Sequence, residues 1–328
     1  MNLRALVATA AAVAFLLSQP TKASAAEAEL KVVIFPGLQS IPMAIAQDKG
    51  LFAKRALKVE VTGTPSSQNL REGLAEGRYH IAHGGVDNAV ALAEAAHVGV
   101  SIVIGGNDGF NHLMVQPDIA SYEDLRGKTL AVDAPNTAYA LLLYKMLQLK
   151  GLGRGDYAVK PVGAAFLRLQ ALTKDRTYAG TMINVPYSIQ AKQAGLKDFG
   201  AATTAIGPYL ADGAYVLRSW AQANADVLVR YLQAHVAALR WMLDPTNKDD
   251  VVALMSERLK VPADIAAETY QVVADPQRGY AKDAALDEVG FRTVLKLRAE
   301  IEGQWGGTPP APDKYLDLSY YRRALAGL

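Results

Sequence analysis

From Lys31 to Ser219 the chain alternates apolar runs of strand length with helix-period segments, and this alternation restricts the fold most. KVVIFPG (Lys31–Gly37), LKVEVTGT (Leu57–Thr64), YHIAHGG (Tyr79–Gly85) and VSIVIGG (Val100–Gly106) read as strands. PMAIAQDKGLFAKRA (Pro42–Ala56), a helix ending near Gly50 with a following turn, SSQNLREGLAEG (Ser66–Gly77) and DNAVALAEAA (Asp87–Ala96) read as the helices between them. A second series follows, with strands in HLMVQP, KTLAVDA, YAVKPVG and YAGTMINV. Its helices fall in ALLLYKMLQL and around Leu167–Thr173. Parallel neighbours need a crossover of helix length, so this order predicts an α/β fold with largely parallel pairing. After a turn and strand in GPYLADGAYVLRS the chain becomes mainly helical, over Trp220–Leu243, Val251–Leu259, Ile265–Val273 and Glu288–Glu302.

Two Gly- and Pro-rich segments, Gly105–Asn111 and Ala205–Gly213, bracket the second series. They fit either two hinge crossings between lobes or plain loops of one larger sheet. With hinges, residues 26–108 form a first lobe, 109–209 a second, and 210–328 a helical return to the first.

The first 25 residues carry Arg4, an apolar stretch from Leu6 to Leu17 and an Ala23-Ser24-Ala25 cleavage pattern. They read as a signal peptide cut after Ala25 or Ala26, and hence as export to a bacterial periplasm. No second apolar run approaches the roughly 18 residues a spanning helix needs. The chain has no cysteine, which excludes disulfides, thiolate metal sites, a cysteine nucleophile and a lipid-anchoring cysteine. Two of its 34 basic residues, Arg4 and Lys22, precede the cleavage site, so the rest balances the 32 acids. That neutrality, with no basic stripe, argues against nucleic acid as a partner.

Enzyme signatures fail on spacing. Gly127-Lys128-Thr129 resembles the end of a phosphate-binding loop, but Tyr122 stands where its first glycine belongs, and a strand follows. Gly151–Gly155 follows a helix and lacks a third glycine at the dinucleotide spacing. His80 and His83, three apart in a strand, point to opposite faces and cannot share a metal. No metal and no cofactor are predicted.

Ligands of open α/β sheets collect where strand ends feed helix N-termini. Four such corners stand out: GLQSIP (Gly37–Pro42), GGVDN (Gly84–Asn88), DAPNT (Asp133–Thr137) and INVPYS (Ile183–Ser188). At the third, Asn136 or Thr137 is the natural N-cap, yet neither an acid nor a capping box closes the first turn. Its backbone N–H groups are met either by the Asn136 cap or by a ligand.

FPGLQSIPMAIAQDKGLFAKRALKVEV, then GLAEGRYHIAHGGVDNAV, then SYEDLRGKTLAVDAPNTAYALLLYKML carry a family resemblance. Their order, with the Lys49-Gly50-Leu51-Phe52 turn and the L-x-G-K before a strand, resembles extracytoplasmic solute-binding proteins of ABC importers. Within them it resembles the nitrate/sulfonate/taurine group, which includes the thiamine-pyrimidine-synthase-like proteins. The resemblance implies a periplasmic-binding-protein-like type II fold, two α/β lobes closing on a small-molecule ligand. It further implies a monomer that delivers the ligand to an inner-membrane permease. By position it places Gln39, Ser40, Gly85, Asp87 and Asn88 on the first-lobe wall. Asn107, His112, Asn136, Thr137, Tyr139, Asn184 and Tyr187 would come from the hinge and second lobe.

The corner motifs contain no Arg or Lys, and Asp87 and Asp133 oppose an anion unless they pair elsewhere. A neutral or zwitterionic ligand, or a flat ring stacked on Tyr139 or Tyr187, fits as well as a sulfonate. Two other functions suit the same cleft. One is a sensor subunit; the other is a pyrimidine-synthase-like enzyme, whose relatives work inside cells and are associated with a cysteine-rich segment.

Overall fold

A computed structural model describes residues 26–328. The signal peptide read in residues 1–25 lies outside the described residues. The ten strands are β1 (Ala28–Ile34), β2 (Leu57–Gly63), β3 (Ile81–Gly85), β4 (Val100–Ile104), β5 (His112–Val115), β6 (Thr129–Val132), β7 (Ala158–Pro161), β8 (Tyr178–Ile183), β9 (Lys197–Ala201) and β10 (Asp212–Leu217). Helices of the βα series are α1 (Ser40–Asp48), α2 (Ser67–Ala75), α3 (Asp87–Ala95), α4 (Ala138–Leu149), α5 (Ala165–Lys174), α6 (Tyr187–Gln193) and α7 (Ala202–Ile206). The C-terminal part adds α8 (Arg218–Ala223), α9 (Ala225–Leu243), α10 (Lys248–Leu259), α11 (Ala263–Val273), α12 (Glu288–Glu302) and α13 (Ser319–Ala326).

The strands form two sheets, each the core of one lobe, ordered β2-β1-β3-β10-β4 and β7-β6-β8-β5-β9. β1 pairs in parallel with β2 and β3, and β6 with β7 and β8. Within each sheet one strand runs antiparallel to both neighbours: β10 in the first, β5 in the second. Each is the strand that the chain enters on crossing from the other lobe. The crossings, β4 to β5 and β9 to β10, run side by side and are bonded: Ala211 N donates to Asn107 O at 2.9 Å, and Ala202 N to Asn111 O at 2.9 Å. The Gly- and Pro-rich segments therefore lie between two lobes.

Both sheets are covered on both faces, which is why their strands read as apolar runs. Along β1, Leu30, Val32 and Ile34 join one core, under α1 and α9, while Val33 joins another. That second core runs through α3, α4 and α12 to the near face of the second sheet, taking Leu130 and Val132 from β6. Ala131 turns to a third core beneath α5 and α6. This is the period-two alternation of a strand at work.

The first helix ends at Asp48, and Gly50, at φ +64, starts the turn expected there, which leads into a short 3₁₀ segment. Two local readings need correction. The helix over Trp220–Leu243 breaks at Asn224, whose side chain bonds the Trp220 carbonyl at 2.9 Å. The strand β9 was not foreseen.

Candidate functional site

A cavity of about 60 Å³ lies at the seam between the lobes. The first lobe supplies Gly37–Gln39 before α1, Ser67 from α2, Gly85 and Asn88 near α3, and Asp212 from β10. The second lobe supplies Asp133, the α4 start at Thr137–Tyr139, the α5 start at Ala164–Ala165, Arg168, Asn184 and Tyr187. The lobes touch around it. Ala164 N donates to Pro65 O at 3.0 Å, Tyr187 Oη to Pro36 O at 3.3 Å, and Ser67 Oγ to Asp133 Oδ2 at 2.5 Å. Gly37 holds φ +134, and a Cβ there would stand 3.3 Å from Tyr187 Oη, so this position suits glycine alone.

The N-terminus of α4 is open. Thr137 is its N-cap residue, but the side chain makes no capping bond; its Oγ1 instead donates backwards to Ala134 O at 2.9 Å. The α5 start is equally uncapped by side chains. Two helix N-termini thus present unsatisfied N–H groups and their partial positive charge to the cavity.

Arg168 is the residue that the corner motifs could not supply. It is 1% exposed, and its guanidinium donates to Thr181 Oγ1 (3.1 Å), Met182 O (3.0 Å) and Gly163 O. Burial lowers its pKa, offset in part by the charge of nearby Asp133. Asp133 and Asp212 are 9% and 6% exposed. One Asp133 oxygen takes the Ser67 bond; the other, like Asp212 Oδ1, has no partner in the protein. Burial raises the Asp212 pKa to about 6 against a hydrogen bond from Gln39, and the charge of Asp108 adds to the rise. Burial likewise pushes the Tyr187 phenol up to about 12, so it remains a neutral donor.

Gln39, Gly85, Asn88, Thr137, Tyr139, Asn184 and Tyr187 line this cavity. The other sequence candidates lie elsewhere. Ser40 Oγ closes the turn before α1, donating to Gly37 O at 2.6 Å. Asp87 is buried against Arg298 of α12. Asn107 Oδ1 accepts from Gly109 N at 2.7 Å inside the first crossing. His112 faces Asp198 at 2.9 Å beside β9. Asn136 is exposed: the N-cap residue is Thr137, and α4 starts at Ala138, two residues on. His83 is buried 2.8 Å from Tyr231 Oη, and His80 precedes β3 and stacks on Trp220. Sequence reasoning missed Ser67, Arg168 and Asp212. The available signal for Arg168 was a lone charge inside the apolar run AAFLRLQAL.

Two α/β lobes joined by paired crossings, with a polar cavity at their seam, define a periplasmic-binding-protein-like fold. Residues 23–256 match the model of the NMT1-like family, and the chain belongs to that family. It is 24% identical over 227 residues to a putative ABC transporter periplasmic binding protein of Brachyspira hyodysenteriae, a match covering 64% of each chain. The aligned region thus spans just under two thirds of that relative's length. The periplasmic nitrate-binding protein NrtA of Synechocystis PCC 6803 superposes with a TM-score of 0.76 at 16% identity, over 92% of this chain and 89% of its own. The desulfurization enzyme DSZB shares the fold with a TM-score of 0.62 at 15% identity, over 91% of this chain and 99% of its own.

Proposed function

We propose that this chain is the periplasmic solute-binding component of an ABC importer. It captures a small polar organic solute between its lobes and hands it, as a monomer, to a membrane permease. The observation that carries this reading is the cavity itself. Its walls come from both lobes, two uncapped helix ends open into it, and bonds across the seam hold it shut. Such a site forms only when the lobes meet, so ligand binding and closure are one event. The family and the named transport relative point the same way.

The test is small-angle scattering on the protein after residue 25, with mass spectrometry of whatever copurifies. Compaction on adding the copurified solute supports the reading. An empty protein that no solute compacts, or conversion of the solute to product, would refute it.

A further inference from the structure

Four polar atoms on the wall of the seam cavity are buried without a partner: Gln39 Oε1, Asp133 Oδ1, Asn184 Oδ1 and Asp212 Oδ1. All four are acceptors. An amide can turn its nitrogen inward instead, but a carboxylate has only lone pairs to offer. The two carboxylates are also the more deeply buried. The wall carries one cation, Arg168, which lies near Asp133 and already gives three of its five N–H groups to Gly163, Thr181 and Met182. Neither Asp212 nor Arg168 has an ion-pair partner among the described residues.

A buried charge must be paired, hydrogen-bonded or neutralised. A bare oxyanion would add a third negative charge to this wall and leave the orphan acceptors unmet. A solute carrying N–H donors meets them, and a cationic one balances the wall as well. At pH 7.5 the Asp212 carboxylate, with its pKa near 6, is largely ionised, so the demand for a counter-charge is present.

We propose that this cavity selects its solute by an amino or amidine group seated on Asp212 and Asp133. The acceptor end of the same solute meets the two remaining Arg168 N–H groups and the open start of α4. This rests on the solute-binding reading above and narrows its ligand class: the recognised feature is a nitrogen donor, and an oxyanion alone is insufficient.

Matched probes test it. β-Alanine is compared with propionate, 2-aminoethanesulfonate with ethanesulfonate, and guanidinoacetate with acetate, with nitrate as the bare oxyanion. Binding to the protein after residue 25 is read by melting shift and calorimetry at pH 7.5. The amino-bearing member of at least one pair should bind tenfold or more tightly than its partner. Asp212→Asn should erase that preference, and Asp212→Glu should keep part of it. Circular dichroism and the unliganded melting point of each variant separate lost folding from lost selectivity; Asp133→Asn provides a second variant. Equal binding of both members of a pair, or of nitrate, overturns the inference and leaves the solute-binding reading standing. If no probe binds, the copurified molecule decides. One with a nitrogen donor supports the inference, and one without overturns it. No binding with no copurified molecule and no closure removes the solute-binding reading, and this inference with it.

Discussion

Arg298 on α12 donates through Nε to Asp87 Oδ1 at 2.5 Å, and 3% and 1% of the two side chains are exposed. The same guanidinium reaches Asn136 O at 3.4 Å. One side chain of the C-terminal part therefore ties the start of α3 in one lobe to the turn before α4 in the other. It also removes Asp87 from the contest for a ligand. Arg298→Met would strand the Asp87 charge in the core and should cost about 3–5 kcal/mol. Asp87→Asn added to Arg298→Met should recover part of that loss. Urea unfolding of the two variants checks both statements, and a cost below about 1 kcal/mol would show the pair to be idle.

Arg168 has a double duty in this arrangement. Its bonds to Gly163 O and Met182 O hold the α5 start against β8, while its remaining N–H groups face the cavity. Arg168→Met should lower stability by at least about 1.5–3 kcal/mol, the worth of one hydrogen bond to a charged group. Its effect on binding should depend on the solute, large for an amino acid or aminosulfonate and small for a simple amine. Calorimetry with β-alanine and ethylamine makes the comparison; an equal loss for both would place the guanidinium outside the contact.

Two buried groups titrate with opposite consequences for stability. Asp212 has a pKa raised from 3.8 to about 6, so its contribution is full below about 4 and lost as pH rises through 6. His235 has a pKa lowered from 6.5 to about 4, so its contribution is full above about 6.5 and lost as pH falls through 4. Gln39, Asp108, Tyr139 and Tyr280 face or act on Asp212, and His83 lies beside His235. Each shift of about two units is worth about 3 kcal/mol. Asp212→Asn should therefore gain about that much relative to the parent chain between pH 4 and 7, in the absence of ligand. His235→Asn should lose its disadvantage as pH falls over the same span. Unfolding curves at three pH values suffice, and parallel curves for parent and Asp212→Asn would sink the first statement.

Gly37→Ala should destabilise by about 1–3 kcal/mol, since its φ of +134 suits glycine and the added methyl meets Tyr187. Replacing Tyr187 by Ala removes that neighbour but leaves the backbone strain. The melting point of the double variant should thus recover only in part; full recovery would assign the whole cost to the contact.

Asn136→Ala should leave affinity unchanged and alter stability by no more than about 0.5 kcal/mol, because the side chain is exposed and caps nothing. A fall in affinity for any bound probe would return Asn136 to the site.

The elements legible in the sequence were those with strong local signals. The α12 bounds, Glu288–Glu302, follow from its apolar period and from Asp287, which caps Gly290 N at 2.9 Å. The corner at DAPNT was readable as an unclosed helix start, and Thr137–Tyr139 of that start are among the residues around the cavity. β9 was hidden because Lys197–Ala201 is an edge strand with two exposed and three half-buried residues, so burial imposes no pattern on it. Asp212 was hidden for a different reason. Nothing near it in the chain shows that β10 will slide between β3 and β4 and carry its carboxylate to the seam. Arg168 was hidden because nothing near it in the chain shows that the Met182 carbonyl and Thr181 hydroxyl of β8 will bind its guanidinium.

The insertion of β10 between β3 and β4 also sets an order of events during synthesis. β5 through β9 form an uninterrupted stretch, so the second sheet has all its strands once residue 201 has emerged. The first sheet, although it begins the chain, lacks its fourth strand until residue 217 follows, and β4 has no sheet neighbour before then. The middle of this protein can finish folding while its beginning still waits for its end.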